Sequence, residues 1–361
     1  MTNIETALAQ LGNRRDERTG AVSLPIHLST AYAHPGLGES TGFDYTRTKN
    51  PTRTVLEEGL AELEGGTHAF ATSSGMSAIQ LVFECFSPGS HFLVTRDIYG
   101  GSFRYFEELA RRGQHTFAYF NDETDLAAQI TGQTAAVFVE TPTNPLMQEV
   151  DIAEIARITR AAGSILIVDN TLLTPLRQKP LTLGAHISLH SGTKYLTGHN
   201  DILAGVVVTN DPTLGEKLAW LANTTGPTLS PFDCWLFIRS LKTLPLRLDK
   251  QEANAREIAA ALAKDPEVTE VLYPGRGAMM SIRLKDAGKV DAFLRALRVF
   301  TFAESLGGVE SFITYPTTQT HYDIPVEIRE SYGLTADLLR ISVGIETAAD
   351  LVADIWQALR A

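Results

Sequence analysis

The chain has only two cysteines in 361 residues, Cys85 and Cys234, each in an apolar setting, LVFECF and PFDCWLF. So few exclude a disulfide framework or a thiolate metal cage, and the surroundings suit small buried side chains. No apolar run approaches the roughly 18 residues that a membrane span requires. The opening MTNIETALAQLGNRRDERTG also lacks the apolar stretch of a secretory leader, so a cytoplasmic protein is expected. Positive charge is scarce: 31 Lys and Arg against 42 Asp and Glu leave a net charge of -11, with no basic patch. That balance argues against nucleic acid as a partner. Neither G-x-x-x-x-G-K-[ST] nor G-x-G-x-x-G occurs, so neither a P-loop nor a dinucleotide fingerprint is present.

What is there reads as an ordinary folded chain, 44% hydrophobic and 20% charged. Its length exceeds what one core usually supports, so two packed domains are expected. Residues 1–50 are rich in Gly, Pro, Ser and Thr with little periodicity and read as an extended arm, of the kind that often packs on a neighbouring subunit. Over residues 51–228, β-rich runs (AFAT, FLVTRD, TFAYF, AAVFVE, ILIVDN, ISLHS, AGVVVTN) alternate with helical patterns at 75–86, 100–113 and 151–162. The alternation predicts an α/β domain with a mostly parallel sheet covered by helices. NTTGPTLSP breaks the pattern, and residues 229–361 read as a smaller α+β domain. It opens on a long helical stretch interrupted near Pro245, then carries strands at VTEVLYP, MSIRL, VFTFA and LLRISV and helices at 288–298 and 347–360.

In open α/β sheets, ligands bind beyond the carboxyl ends of the strands, and four strand ends here carry polar residues. In ATSSGMSAIQ a strand ends, Ser73 or Ser74 can cap, and a helix starts at about Gly75 with its free backbone N–H groups pointing outward, a natural phosphate cradle. Plain helix capping is the commoner meaning of such a string. In ILIVDN the strand ends on Asp169, followed by Asn170 and Thr171, a carboxylate able to pair with a cation such as a pyridinium nitrogen or, more blandly, to cap the next turn. In LHSGTKYLTGHND, Lys194 follows a β-run among Ser191, Gly192 and Thr193, where an amine can form an imine while hydroxyls bind a phosphate. In FVETPTNP, a Pro-rich loop presents Thr141, Thr143 and Asn144 to the same rim, with Asn144 placed to meet a ring hydroxyl. His186 and His190 are four apart but lie on an alternating, strand-like segment with no third ligand beside them, so they read as structural histidines.

Several longer strings make the chain similar to the pyridoxal-phosphate enzymes of cysteine and methionine metabolism. These are YTRTKNPT (45–52), SSGMSA (73–78), DIYGGSFR (97–104), ETPTNP (140–145), VDNT (168–171), SGTKYLTGHND (191–201), ESLGGVESFITYP (304–316) and LLRISVGIE (338–346). The resemblance implies the aspartate aminotransferase-like fold type I, with a mostly parallel seven-stranded sheet, helices on both faces and a smaller α+β C-terminal domain. It implies pyridoxal 5'-phosphate as cofactor, carried as a Schiff base on Lys194, with Asp169 on the ring nitrogen, Tyr99 stacked on the ring and Asn144 at the ring hydroxyl. Phosphate would be held by Gly75, Met76, Ser191 and Thr193, and by Tyr45 and Arg47 from a neighbouring subunit, in a homo-oligomer that is a dimer of dimers. Arg340, helped by Ser305 and Tyr45, would hold the substrate's α-carboxylate; a guanidinium fork suits that group. Asp169, paired with a cation, should stay ionised. Gly101 stands where methionine γ-lyases usually carry cysteine, and the connection from YPG at 273 to MMS at 279 is short. Both features resemble the branch containing cystathionine γ-synthase and O-acetylhomoserine thiol-lyase. That branch implies γ-replacement on an O-acylated homoserine, the alternative being a cystathionine γ- or β-lyase. Glu304, Tyr315 and the stretch near Thr317 are the candidates for contact with the γ-substituent.

Overall fold

A computed structural model describes residues 3–361. Seven strands build the first sheet: β1 (His68–Thr72), β2 (Ser90–Thr95), β3 (His115–Phe120), β4 (Thr134–Glu140), β5 (Ile165–Asp169), β6 (Ile187–Ser191) and β7 (Gly205–Thr209). They lie in the order β1-β7-β6-β5-β4-β2-β3. Only β7 runs against its neighbours; every other contact in this sheet is parallel. The strands are apolar on both faces, as a sheet covered by helices on each side demands. Phe92, Val94, Phe138 and Ile167 turn to one core with the helices Gly75–Phe83 and Gly100–Arg111. Leu93, Val137, Val139, Leu166 and Val168 turn to the other, under the helix Ile152–Ala162.

The second sheet holds β8 (Val268–Leu272), β9 (Met279–Leu284), β10 (Thr301–Phe302), β11 (Phe312–Thr314) and β12 (Leu338–Ser342), in the order β10-β11-β12-β9-β8. Helices Pro231–Leu241 and Leu244–Leu262 lie between the sheets in sequence, with the break at Lys242–Thr243 just ahead of Pro245. We propose a domain division near residue 228, where the first sheet's segment gives way to these helices. The largest core is continuous across it, joining Val206 and Val208 to Leu241, Leu248, Ile282 and Ile341. Several elements lie outside the patterns read from the sequence, among them the helices Pro51–Glu64, Glu123–Gln129, Pro212–Thr225 and Val326–Ser331, and the three-residue β11. The arm carries one short helix, Ile4–Ala9. Among the described residues no helix is long and apolar enough to cross a membrane.

Candidate functional site

The carboxyl ends of β2, β4, β5 and β6 open on one cleft, about 860 Å³ counted out to its mouth, closed on the far side by the 304–306 loop, Thr320 and Arg340. Ten of the twelve residues that the resemblance assigns to the cofactor and the substrate's carboxylate line it: Gly75, Met76, Tyr99, Asn144, Asp169, Ser191, Thr193, Lys194, Ser305 and Arg340. Tyr45 and Arg47 do not. Both are exposed, and Arg47 instead donates to the carbonyl and side-chain oxygens of Asn223.

Lys194 sits on a turn directly after β6, where its N–H donates to the Ser191 carbonyl. A Cβ on Gly192 would meet the Phe237 ring at 2.8 Å, so the turn can press against the helix Pro231–Leu241 only with glycine there. The amine Nζ donates to Ser305 Oγ at 3.0 Å. Burial, and then the Arg340 charge, push the amine down to about 8, with Glu304 opposing. Ser305 adopts φ +87°, a left-handed conformation that a non-glycine residue keeps only when its surroundings hold it. That conformation lets one residue serve two partners: its Oγ accepts from Lys194, and its carbonyl accepts from Arg340 at 2.9 Å.

Arg340 lies on β12 opposite Thr314 of β11 and is 2% exposed. Its guanidinium donates to Asn144 Oδ1 at 2.8 Å and Thr314 Oγ1 at 3.1 Å, yet among the described residues Nε has no partner and no carboxylate pairs with it. A buried cation without a counter-ion is costly, and burial pushes it down to about 10. An incoming carboxylate would relieve that cost.

Asp169 ends β5. Its Oδ1 accepts from the Thr171 N–H at 3.0 Å and the Thr171 hydroxyl at 2.5 Å, and Thr171 Oγ1 in turn accepts the Ser191 N–H at 2.8 Å. Oδ2 is left without a partner among the described residues. Desolvation pushes this carboxyl up, against the Thr171 hydrogen bonds and the His190 charge. A cation beside Oδ2 would offset that desolvation and favour the ionised form expected of Asp169. A protonated ring nitrogen at Oδ2 would do so.

Ser74 caps the helix Gly75–Phe83 in a reciprocal box with Ser77, leaving the N–H groups of Gly75 and Met76 at the free end of the helix. A Cβ on Gly75 would meet Ser191 Cβ at 2.9 Å, so this helix start and the end of β6 touch through the glycine. Thr193 Oγ1 is tied to Ala204, donating to its carbonyl and accepting its N–H, which leaves Ser191 as the freer hydroxyl. Tyr99 precedes the helix Gly100–Arg111, and its N–H donates to Glu140 Oε2 at 2.9 Å. Glu140 is buried, and desolvation plus the neighbouring Asp169 hold its carboxyl well above the usual range. The sequence reading passed over it, although a carboxylate at the end of an apolar strand is the same signal that pointed to Asp169.

Of the candidates for the γ-substituent, Glu304 lines the cleft and is exposed at its mouth. Tyr315 and Thr317 do not reach it: the Tyr315 hydroxyl donates to the Ala336 carbonyl, and Thr317 is buried elsewhere. His186 accepts the Leu166 N–H through Nδ1, and His190 is buried against Glu64.

Residues 5–360 match the family described as Cys/Met metabolism PLP-dependent enzyme. The chain belongs to this family. It is 57% identical over 359 residues to the cystathionine gamma-synthase/O-acetylhomoserine (thiol)-lyase of Bacillus subtilis, covering 99% of this chain and 96% of the relative. It is 53% identical to the cystathionine gamma-synthase of Haemophilus influenzae, over 98% of this chain and 97% of the relative. Among solved structures, the cystathionine gamma synthase of Xanthomonas oryzae pv. oryzae in complex with aminoacrylate and cysteine superposes with a TM-score of 0.97 at 41% identity, covering 100% of this chain and 98% of that one. The two-sheet architecture is thus the fold type I arrangement of pyridoxal-phosphate enzymes. The unpartnered Asp169 Oδ2, the Gly75–Met76 helix end and the amine of Lys194 are donors and acceptors that suit pyridoxal phosphate.

Proposed function

We propose that this chain is a trans-sulfuration enzyme that performs γ-replacement on an O-acylated homoserine, with cysteine to give cystathionine or with sulfide to give homocysteine. The observation that carries it is one cleft holding both a lysine brought down to about 8 and a buried arginine with no carboxylate of its own. An amino acid offers what both lack, and the similarity to the Bacillus and Haemophilus enzymes favours replacement over simple cleavage.

Bound pyridoxal phosphate supplies an electron sink for charge developing at the substrate's Cα and Cβ. Lys194 would anchor it through its amine, and Asp169, steadied by Thr171, would keep the ring nitrogen protonated. Gly75, Met76 and Ser191 would hold the phosphate, with Thr193 supporting the turn. Tyr99 would cover the ring and Asn144 would meet the ring hydroxyl. Arg340, with Asn144 and Ser305 fixing its fork, would clamp the α-carboxylate. Lys194, freed by the incoming amine, would carry protons at Cα and Cβ, and an amine near 8 suits that task near neutral pH. Glu304 at the mouth would face the γ-substituent.

Among the described residues Lys194 and Arg340 are the cations that line the cleft, and no arginine lines it beside the phosphate cradle. We propose that Tyr45 and Arg47 of a second copy supply this contact, in a homo-oligomer built as a dimer of dimers. We place the enzyme in the cytoplasm, which keeps a thiol co-substrate reduced.

Product analysis by mass spectrometry tests the reaction, with purified enzyme incubated with O-acetylhomoserine plus cysteine or sulfide, and separately with cystathionine alone. Cystathionine or homocysteine in the first set, with little consumed in the second, is the expected result. Rapid cleavage of cystathionine with no synthesis would make the chain a lyase and overturn the proposal.

A further inference from the structure

His321 is fully buried in the turn-rich segment that follows β11, and none of the roles above uses it. Its Nε2 lies 3.1 Å from the carbonyl oxygen of Ile98 and 2.9 Å from that of Asn144. Both partners can only accept, so Nε2 carries the proton and shares it between them. Nδ1 is then an acceptor, and the Thr320 hydroxyl lies 2.8 Å away to donate. A neutral imidazole satisfies all three contacts. Burial, and then the Arg340 charge, push it down to about 4, against the two carbonyl bonds.

The two carbonyls are in telling places. Ile98 immediately precedes Tyr99, while Asn144 is the residue whose side chain accepts from Arg340. The contacts reach across 223 and 177 residues of sequence, from the segment after β11 to the loops after β2 and β4. A second contact reinforces them: a Cβ on Gly100 would lie 2.0 Å from the Thr320 carbonyl oxygen, so the 320–321 backbone rests directly on the start of the helix behind Tyr99.

We propose that His321 is a positioning residue: one shared N–H ties the backbone that aims Tyr99 to the backbone that aims Asn144, and so sets the spacing between the ring face and the carboxylate clamp. This rests on the roles proposed for Tyr99, Asn144 and Arg340. His321 itself does not line the cleft. Because both bonds come from one N–H, losing it should disturb both sides of the cleft together.

The test uses holoenzyme of the wild type, His321→Leu, His321→Gln and Lys194→Ala. Three readouts are taken: visible ellipticity of the cofactor per unit of absorbance, the apparent Kd for L-alanine from its shift of the visible band, and the thermal midpoint. Alanine offers only an α-amino and an α-carboxylate group, so the choice of physiological substrate does not enter. His321→Leu should lose ellipticity and weaken alanine binding roughly ten- to hundredfold, the range expected when a site is misplaced by about 1 Å. His321→Gln, which can return an N–H to the place of Nε2, should recover both. A lowered midpoint with unchanged ellipticity and alanine affinity would reduce His321 to a structural residue and overturn the inference alone. A Lys194→Ala variant that kept the wild-type visible band would instead overturn the reading of the cleft, and the inference with it. If His321→Leu does not fold, Gly100→Ala presses on the Thr320 carbonyl and must weaken alanine binding as well, although residue 100 lies on the Tyr99 side. Unchanged alanine binding there also overturns the tie.

Discussion

Two cations in one cleft set the chemistry at the scale of single residues, and burial makes each give up its proton more readily than it would in water. An amine must be neutral to attack a carbonyl, so the apoenzyme's rate of taking up pyridoxal phosphate should climb with pH and level off near 8. An unperturbed lysine would instead keep the rate rising to about 10. Because Arg340 contributes to the lowering, Arg340→Gln should move the inflection upward. Stopped-flow absorbance across a pH series reads both, and an inflection near 10 in the wild type would refute the assignment. Arg340 makes a second case. Lysine there keeps the charge but cannot fork to a carboxylate while also holding Asn144, Ser305 and Thr314. Arg340→Lys should therefore lose at least one charge-assisted hydrogen bond, about 1.5–3 kcal/mol, or roughly 10- to 150-fold in KM for the amino acid. Steady-state kinetics on O-acetylhomoserine would show it, and an unchanged KM would remove Arg340 from the clamp.

At the scale of elements, the site is a consequence of where parallel strands stop. β4 and β5 run in register to Glu140 and Asp169, and β5 and β6 pair through Asp169 and Leu189, so the polar residues that follow arrive on one rim. That arrangement was legible because each strand is a short apolar run ending on a polar residue, as in ILIVDN and LHSGTK. The three-residue β11 was not legible, since FIT carries no period to read. It exists because Ile313 and Thr314 pair with Ile341 and Arg340. The helix Pro51–Glu64 did carry a signal, Asn50 as cap with proline at the first helical position, which the reading of an arm up to residue 50 overlooked. His321 acquires its role from partners 223 and 177 residues away, which no local pattern displays. Contact between elements also makes the phosphate cradle testable. In Gly75→Ala the new methyl would stand 2.9 Å from Ser191 Cβ, forcing the helix start and the end of β6 apart. Overpacking of this kind costs about 1–3 kcal/mol, so affinity for pyridoxal phosphate should fall roughly 5- to 150-fold. Equilibrium titration of the apoenzyme with the cofactor measures this, and a wild-type Kd would place the phosphate elsewhere.

Across the whole molecule, both sheets are needed for one site. The first supplies Lys194, Asp169 and the helix end at Gly75, while the second supplies Arg340 and the adjoining loops supply Ser305 and Thr320. The continuous core behind them keeps the two sets in fixed relation. Among the described residues no arginine lines the cleft beside the phosphate cradle, and Arg47 is exposed on the arm, its guanidinium resting on Asn223 and the Tyr45 ring face, where another copy could be reached. Mixing inactive subunits tests this directly. Lys194→Ala chains keep Arg47, and Arg47→Ala chains keep Lys194. In a hybrid dimer with exchanged arms, one site receives both intact residues and the other receives neither. Random reassortment of equal amounts should then restore about a quarter of the sites. Activity after co-refolding, set against each parent alone, is the measurement. If Arg47 served its own chain, every site in the mixture would keep one defect and the activity would only average the parents.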